Sequence, residues 1–365
     1  MVNFSINGFG RIGRSAARVW LNSHLDDSEL VAINTSGSLD VKGWAHLLKY
    51  DTAYGPLSYP ISSEIVQATD KVTDENPLLG YITIEHPKRT LRIPVLAQRD
   101  PAKIPWSAYK VDVVIESTGV FTSLEKASMH LNGGAKFVIL SAPAKGADVP
   151  TAVIGVNEGE ILNKDRVGVI SVISNASCTT NSVAPVADIL HQKLGILKAM
   201  LTTVHGYTDD QNLQDNSHRD LRRARAAAAN IVPTSTGAAI AATQAVPELR
   251  GLFDGISLRV PVITGSITDF TFITQRATSV EEVNQIFIDA SNQPAYKGIL
   301  AVTSDLLVSS DIIGRSESSI VDLDMTRVVD GTMVKVLAWY DNEWGYSNRL
   351  VEEVIKAGEA LPYSQ

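Results

Sequence analysis

One cysteine occurs among the 365 residues, and its neighbours are the first sign of chemistry. Cys178 lies in Ser174-Asn175-Ala176-Ser177-Cys178-Thr179-Thr180-Asn181, among hydroxyls and amides rather than apolar side chains. The β-branched run Val167 to Ile173 before it predicts a buried strand. After it, Val183, Val186, Ala187, Ile189, Leu190 and Leu194 recur at helical spacing, with Pro185 expected to kink or delay the regular turns. Cys178 is thus expected where a strand ends and a helix begins. Unpaired N–H groups and the positive end of the helix dipole favour an anion there, either a thiolate or a bound oxyanion. A lone cysteine is more often a small buried hydrophobe. The polar neighbours here favour a nucleophile.

A thiol of ordinary pKa, about 8.5, is mostly protonated at neutral pH and needs a base or a cation beside it. The alternating run Lys198 to Tyr207 ends in Thr203-Val204-His205-Gly206-Tyr207-Thr208, which places His205 at a strand end. An imidazole there is suited to pairing with a thiolate and to moving protons. The remaining histidines lie in polar, exposed-looking or helical contexts. Spacing alone does not bring His205 to Cys178.

The elements that would position this pair begin at the N-terminus. Residues 2–6 read as a strand, followed by Asn7-Gly8-Phe9-Gly10-Arg11-Ile12-Gly13-Arg14 and a helix from Ser15 to Leu21. Glycines at 8, 10 and 13 between strand and helix allow a tight turn, close approach of a pyrophosphate and close helix packing. A second strand, Glu29 to Asn34, ends where dinucleotide folds commonly place an acid for the adenosine ribose. Here Asn34-Thr35-Ser36-Gly37-Ser38 carries none before Asp40, so a ribose 2′-phosphate meets no repulsion. NADP is therefore admitted and favoured over NAD. The alternative is that Asn34 and Thr35 hydrogen-bond an unphosphorylated ribose.

A β-rich insertion follows at Ile82–Ile84 and Thr90–Leu96, then the strand Val111 to Glu116, closed by Ser117-Thr118-Gly119. A helix from Ser123 to Leu131 and a strand from Lys136 to Ser141 complete the β–α–β alternation. This predicts a Rossmann-type doubly wound parallel sheet, with Ser117 and Ser141 at ligand-facing strand ends. Past Cys178, alternating runs at Lys198–Tyr207, Ile256–Ile263, Ser266–Gln275 and Met333–Tyr340 predict a mostly antiparallel sheet, with helices at Val280–Ser291 and Trp344–Ala357. The fold class is α/β: a dinucleotide-binding domain over 1–177, completed by a C-terminal helix 342–365, and a catalytic α+β domain over 178–341.

Composition narrows the partners. A formal charge of −8 supplies no surplus to neutralise phosphates, so neither nucleic acid nor an anionic membrane is expected. One cysteine excludes an intrachain disulfide and a cysteine-rich zinc site, and no metal is expected. No apolar run reaches the ~18 residues of a membrane span, and Val2 to Ile6 opens as a strand rather than a signal sequence. A soluble, cytoplasmic protein is expected.

Taken together and in this order, Asn7–Arg14, Asn175–Asn181, His205–Thr208, Asp220–Arg225, Thr234–Ala239, Leu258-Arg259-Val260-Pro261 and Trp339–Tyr346 resemble phosphorylating glyceraldehyde-3-phosphate dehydrogenase over residues 2 to about 358. The resemblance implies an enzyme of glucose metabolism, serving glycolysis and gluconeogenesis. In it Cys178 attacks the aldehyde, a hydride passes to NAD(P), and inorganic phosphate cleaves the thioester. It implies that His205 activates the thiol, with the Cys178 N–H a donor to the oxyanion. Ser177, Thr179, Thr208, Arg223, Thr236, Gly237 and Arg259 match phosphate-binding positions. Gly8, Phe9, Gly10, Arg11, Ile12, Gly13, Asn34, Thr35, Arg99, Ser117, Thr118, Gly119, Ser141 and Asn342 match cofactor positions. A homotetramer is implied as well. The chain departs from the common pattern at Thr35, where NAD-specific members carry aspartate. It departs again in a longer Leu78–Arg99 region and in Val262–Ser266, which lacks the usual proline. Erythrose-4-phosphate dehydrogenase and a catalytically silent nucleotide-binding paralogue are the alternatives.

Overall fold

The computed structural model describes residues 1–362. The chain divides into two compact units: Met1–Ala152, Glu158–Ala176 and the chain from Ser347 on; and Val153–Asn157 with Ser177–Tyr346.

The first unit is built on eight strands. They are β1 (Val2–Asn7), β2 (Ser28–Thr35), β3 (Ile61–Ile65), β4 (Leu78–His86), β5 (Arg89–Ala97), β6 (Val113–Glu116), β7 (Phe137–Leu140) and β8 (Val172–Ser174). The spatial order is β3-β4-β5-β2-β1-β6-β7-β8. From β5 to β8 every pairing is parallel; β3 and β4 add an antiparallel edge. β6 and β7 are buried along their whole length, which is why they read as Val, Ile, Leu and Phe throughout but for Glu116 at the end of β6. Helices α1 (Arg11–Ser23), α2 (Val41–Lys49), α3 (Leu124–Ala127), α4 (Met129–Asn132) and α5 (Glu158–Ile161) complete the connections. Trp20 of α1 meets Phe4 of β1 edge-on, with ring centroids 5.8 Å apart. The chain order reverses between β1 and β6, creating a topological switch point at their carboxyl ends.

Three expectations for this unit need correction. Helix α1 starts at Arg11, inside the glycine motif, because Gly13 packs directly on the preceding turn. The run Val167 to Ile173 is not one buried strand. Val169 is 85% exposed, and Val167 and Ile170 close a small turn, leaving Val172–Ser174 to pair with β7. The helix expected over Ser123–Leu131 is divided into α3 and α4.

The second unit contains β9 (Ile196–Gly206), β10 (Val232–Ser235), β11 (Phe253–Val260), β12 (Ser266–Thr274), β13 (Leu300–Thr303), β14 (Ser319–Val329) and β15 (Met333–Tyr340). Their order is β10-β11-β9-β12-β15-β14-β13, antiparallel except for the β11–β9 and β13–β14 pairs. Alternate residues of β12 are buried, and Phe270 and Phe272 stack at 5.5 Å. Helices α6 (Cys178–Leu194), α7 (Ala238–Ala245) and α8 (Val280–Ser291) accompany this sheet. Helix α6 runs continuously through Pro185, so the expected delay of its turns does not occur. The last helix, α9, spans Trp344–Ala360; residues 363–365 of the expected C-terminal helix lie outside the described residues. Among the described residues no helix is long and apolar enough to cross a membrane.

Candidate active site

At the switch point of the first unit, the β1–α1 turn and the loops after β2 and β6 border a cavity of about 590 Å³. Gly8, Phe9, Gly10, Asn34, Thr35, Arg99, Ser117 and Thr118 line it, as the sequence indicated, joined by Asn7, Ser36, Trp44, Gln98, Val120 and Phe121. Arg11, Ile12, Gly13, Gly119 and Ser141 are outside the lining. Gly8 has φ +96, and a Cβ there would meet the Ser117–Thr118 peptide at 2.7 Å. At Gly13 a Cβ would lie 2.2 Å from the Gly8 carbonyl oxygen, whereas Gly10 faces open space. A backbone this bare at the start of α1 suits a pyrophosphate, so a dinucleotide fits the groups present.

Arg11 is held by Asp51, with contacts of 2.7 and 3.4 Å. Burial pushes the Asp51 carboxyl up, but the Arg11 charge and the Tyr54 and Ala53 amides outweigh it and hold the group below its ordinary range. The side chains at the ribose end are less free than the sequence suggested. Asn34 Nδ2 donates to Asn7 Oδ1 at 2.7 Å and to the Gln98 carbonyl at 2.8 Å. The Thr35 hydroxyl donates to the Leu96 carbonyl at 3.1 Å. Ser36, Ser38 and Arg99 are the exposed groups at that end, with Arg99 Nε donating to the Ser36 carbonyl at 3.3 Å. Among the described residues no acidic side chain lines the cavity.

In the second unit, Cys178 is the first residue of α6. Ser177 caps this helix, its hydroxyl accepting from Thr180 N at 3.0 Å. Ala176, immediately before the cap, has φ +52, a strained conformation for a residue with a Cβ. Cys178 Sγ lies 3.4 Å from His205 Nε2. His205 Nδ1 is 2.6 Å from the Gly206 carbonyl, which only accepts, so Nδ1 carries the proton and Nε2 offers its lone pair to the thiol. Burial, reinforced by the Arg259 charge, pushes the imidazole down to about 3. Burial also pushes the thiol up, opposed by Arg259 and by hydrogen bonds from Thr179. Neither group ionises readily alone. Transfer of one proton from sulfur to Nε2 creates both charges together, where each stabilises the other.

Strand register sets the cationic side of this site. Arg259 of β11 stands opposite His205 of β9, and its Nη1 donates to the Thr208 hydroxyl at 2.6 Å. Thr208 and Arg223 both donate to Asp210. Arg223 Nε donates to Thr234 Oγ1 at 3.1 Å. Burial raises Asp210, but the Thr208 hydroxyl and the Arg259 and Arg223 charges overcome it and hold the carboxylate below its ordinary range. Two guanidinium groups thus face Asp210, and Arg223 Nε also lies 3.6 Å from Asp220 Oδ2, so a bound dianion would compete with these carboxylates for the arginines. Thr236 accepts from Ala238 N at 3.2 Å, and Gly237 forms the N-cap of α7.

Two hydroxyls expected to bind phosphate are turned inward. That of Ser177 caps α6, and that of Thr179 meets the Tyr340 hydroxyl at 2.8 Å. Tyr340 in turn contacts Thr203 Oγ1 at 2.8 Å and sets its ring edge-on to His205. Asn342 Oδ1 accepts from Ser266 Oγ at 2.8 Å, and Ser266 Oγ accepts from Gly206 N at 3.2 Å. Asp210, Tyr340 and Ser266 were not singled out from the sequence; only the closeness of Asp210 to Thr208 gave a signal. His130, read as one of the exposed-looking or helical histidines, is fully buried in the first unit. A cavity of about 700 Å³ near Met200, Ile240 and Phe253 contains none of these site groups.

A doubly wound nucleotide-type unit and, in the same chain, an α+β unit with a cysteine–histidine pair and two arginines define the class: a dinucleotide fold and a thiol centre carried by one chain. Residues 2–124 match the family described as "Glyceraldehyde 3-phosphate dehydrogenase, NAD binding domain", and residues 177–342 match its C-terminal domain. The chain is 49% identical over 360 residues to glyceraldehyde-3-phosphate dehydrogenase 2 of Streptomyces arenae, covering 99% of each. It is 46% identical over 360 residues to glyceraldehyde-3-phosphate dehydrogenase of Zymomonas mobilis, again covering 99% of each. The chain belongs to the glyceraldehyde 3-phosphate dehydrogenase family.

Proposed function

We propose that the chain is a phosphorylating, NAD(P)-dependent glyceraldehyde-3-phosphate dehydrogenase of glycolysis that reversibly forms 1,3-bisphosphoglycerate. The observation that carries this reading is the 3.4 Å contact between Cys178 Sγ and the unprotonated Nε2 of His205. As sulfur attacks the aldehyde carbon, His205 accepts the thiol proton. The Cys178 N–H and the imidazolium stabilise the hemithioacetal oxygen, which takes the proton back from His205; the neutral imidazole then accepts that hydroxyl proton as the carbon is oxidised to the thioester. Inorganic phosphate then attacks that carbon, and Cys178 departs as the thiolate. Arg223, Arg259, Thr208 and the Thr236–Gly237 turn hold the substrate's phosphate and the attacking phosphate.

Gly8, Gly10, Ser117 and Thr118 would hold a nicotinamide dinucleotide, with the Arg11–Gly13 turn at its pyrophosphate. When bound, it supplies the hydride acceptor. The cavity end at Thr35, lined by no acidic side chain and with Ser36 and Arg99 exposed, supports NADP over NAD. Exposed Leu197, Met200, Ile240 and Ile256 support assembly as a homotetramer. The formal charge of −8 supplies no surplus to neutralise nucleic acid or an anionic membrane, in keeping with a cytoplasmic enzyme of small-molecule substrates.

The test is the initial rate of cofactor reduction with glyceraldehyde 3-phosphate, comparing NAD with NADP, with and without phosphate. Phosphate-dependent turnover supports the assignment, and faster NADP reduction supports the cofactor preference. Turnover independent of phosphate contradicts it and favours the erythrose-4-phosphate type of chemistry.

A further inference from the structure

Behind the cavity of the first unit lies a buried polar cluster centred on Glu116, the last residue of β6 and only 2% exposed. Three chains of hydrogen bonds converge on its carboxylate, and each begins at a group whose polarity cannot change. The first starts at the Gln98 backbone. Its N–H donates to Asn34 Oδ1 at 2.9 Å and its carbonyl accepts from Asn34 Nδ2, which fixes the Asn34 amide. Asn34 Nδ2 also donates to Asn7 Oδ1, so Asn7 must present Nδ2, and it does so to Glu116 Oε2 at 2.5 Å. The second starts at the Trp106 indole N–H, which can only donate. It reaches His130 Nδ1 at 3.0 Å, forcing the ring proton onto Nε2, which lies 3.0 Å from Glu116 Oε2. The third is the Thr118 backbone N–H, 2.8 Å from Glu116 Oε1, accompanied by the Thr118 hydroxyl.

We propose that Glu116 is a positioning residue of the dinucleotide site, an acceptor in every direction that holds the Asn7, Asn34–Gln98 and Thr118 segments of the cavity in register. This rests on the reading that the cavity binds a nicotinamide dinucleotide. Asn7, Asn34, Gln98 and Thr118 all line that cavity, while Glu116 does not. It acts through them. A carboxylate accepts from all four donors at once, two on each oxygen, whereas an amide of the same shape must aim its NH2 at one of these pairs. In either orientation of that amide, a buried donor faces another donor. The mismatch disfavours the bound arrangement of the loops by about tenfold to a hundredfold. Hydride transfer itself does not involve Glu116, so the loss falls on cofactor affinity.

The decisive experiment combines Glu116→Gln with a compensating swap, Asn7→Asp. Placing the carboxylate at position 7 and the amide at 116 restores complementary polarity. The new carboxylate accepts from Asn34, from the amide at 116 and from His130 Nε2, which lies 3.4 Å from the present Asn7 Nδ2, while the carbonyl of that amide still accepts from Thr118. Cofactor Kd is measured by direct fluorescence titration with NADP and NAD, alongside KM and kcat with glyceraldehyde 3-phosphate. For E116Q the expected result is a rise in Kd and cofactor KM of about tenfold or more, with kcat at saturating cofactor within about threefold. The double variant N7D/E116Q is expected to recover most of that loss. An unchanged Kd in folded E116Q, or a folded double variant no better than the single one, overturns the proposal. If E116Q does not fold, Thr118→Val removes one of the converging donors and should still raise Kd severalfold; an unchanged Kd there also overturns it. Failure of the unaltered chain to bind either dinucleotide overturns the underlying reading and this one with it. Binding by the unaltered chain without loss in E116Q overturns this one alone.

Discussion

Replacing His205 with asparagine separates the two influences on Cys178. Burial disfavours charge on the sulfur, and the imidazole 3.4 Å away is the group that repays it when the proton moves. Two unit charges at that distance attract by about 5 kcal/mol at an effective dielectric of about 20, equivalent to about 3.5 pK units. Part of this survives in His205→Asn, because Arg259 and the N-terminus of α6 still favour a thiolate and water enters the vacated space. A higher apparent thiol pKa is therefore expected, with alkylation near neutrality at least about tenfold slower. The assay is the second-order rate of alkylation by iodoacetamide between pH 5 and 10, with far-ultraviolet circular dichroism as the control for folding. In the unaltered chain the rate should already be substantial near neutrality. In the variant it should climb through the alkaline range. Superimposable pH profiles would refute the coupling of sulfur and imidazole.

Three further perturbations follow from particular contacts. Glu353 of α9 is fully buried, neither of its carboxylate oxygens has a hydrogen-bond partner among the described residues, and burial pushes its pKa well above the ordinary range, followed by the Glu158 and Glu352 charges. It is protonated when folded and ionised when unfolded, so folding takes up a proton above the unfolded value of about 4.3, and stability falls as pH rises from there toward the folded pKa. Glu353→Gln should raise stability at pH 8 by about 1–2 kcal/mol and change it little at pH 4, measured by denaturant unfolding at both pH values. Arg99→Ala should weaken NADP binding about tenfold while leaving NAD within twofold, by titration; equal losses would remove Arg99 from 2′-phosphate recognition. Gly13→Ala should destabilise the β1–α1 turn by about 2 kcal/mol or more and weaken dinucleotide binding, because its Cβ would lie 2.2 Å from the Gly8 oxygen; a wild-type melting curve and Kd would show that the turn can open.

What the sequence disclosed follows from how local each signal is. Glycines between a strand and a helix, a β–α–β alternation and long alternating runs are local patterns, and they led to the elements but not always to their bounds. The helix expected over Ser123–Leu131 is two, and the strand expected over Ile256–Ile263 runs Phe253–Val260. Cys178 at a helix start was legible because the Ser177 cap and the apolar spacing that follows are also local. The β3 and β14 strands were not. All of β3 except Ile61 is exposed, and β14 mixes buried and exposed polar residues, so neither carries a clean alternation. The run Val167 to Ile173 misled for the opposite reason: β-branched residues favour strand, but only Val172–Ser174 have a neighbour to pair with. The inward commitments of Asn34, Thr35 and Thr179 depend on partners 27 to 161 positions away, beyond the reach of any motif. The same holds for the cluster around Glu116, where Asn7 is 109 residues distant in sequence.

Covalent capture tests the central claim most directly. The chain is mixed with glyceraldehyde 3-phosphate and NADP in phosphate-free buffer, quenched in acid and analysed by intact and peptide mass spectrometry. The account predicts a phosphoglyceroyl adduct on Cys178 that disappears when inorganic phosphate is added before the quench and is absent from Cys178→Ser. Full turnover with no adduct on Cys178, or undiminished turnover in Cys178→Ser, would contradict it.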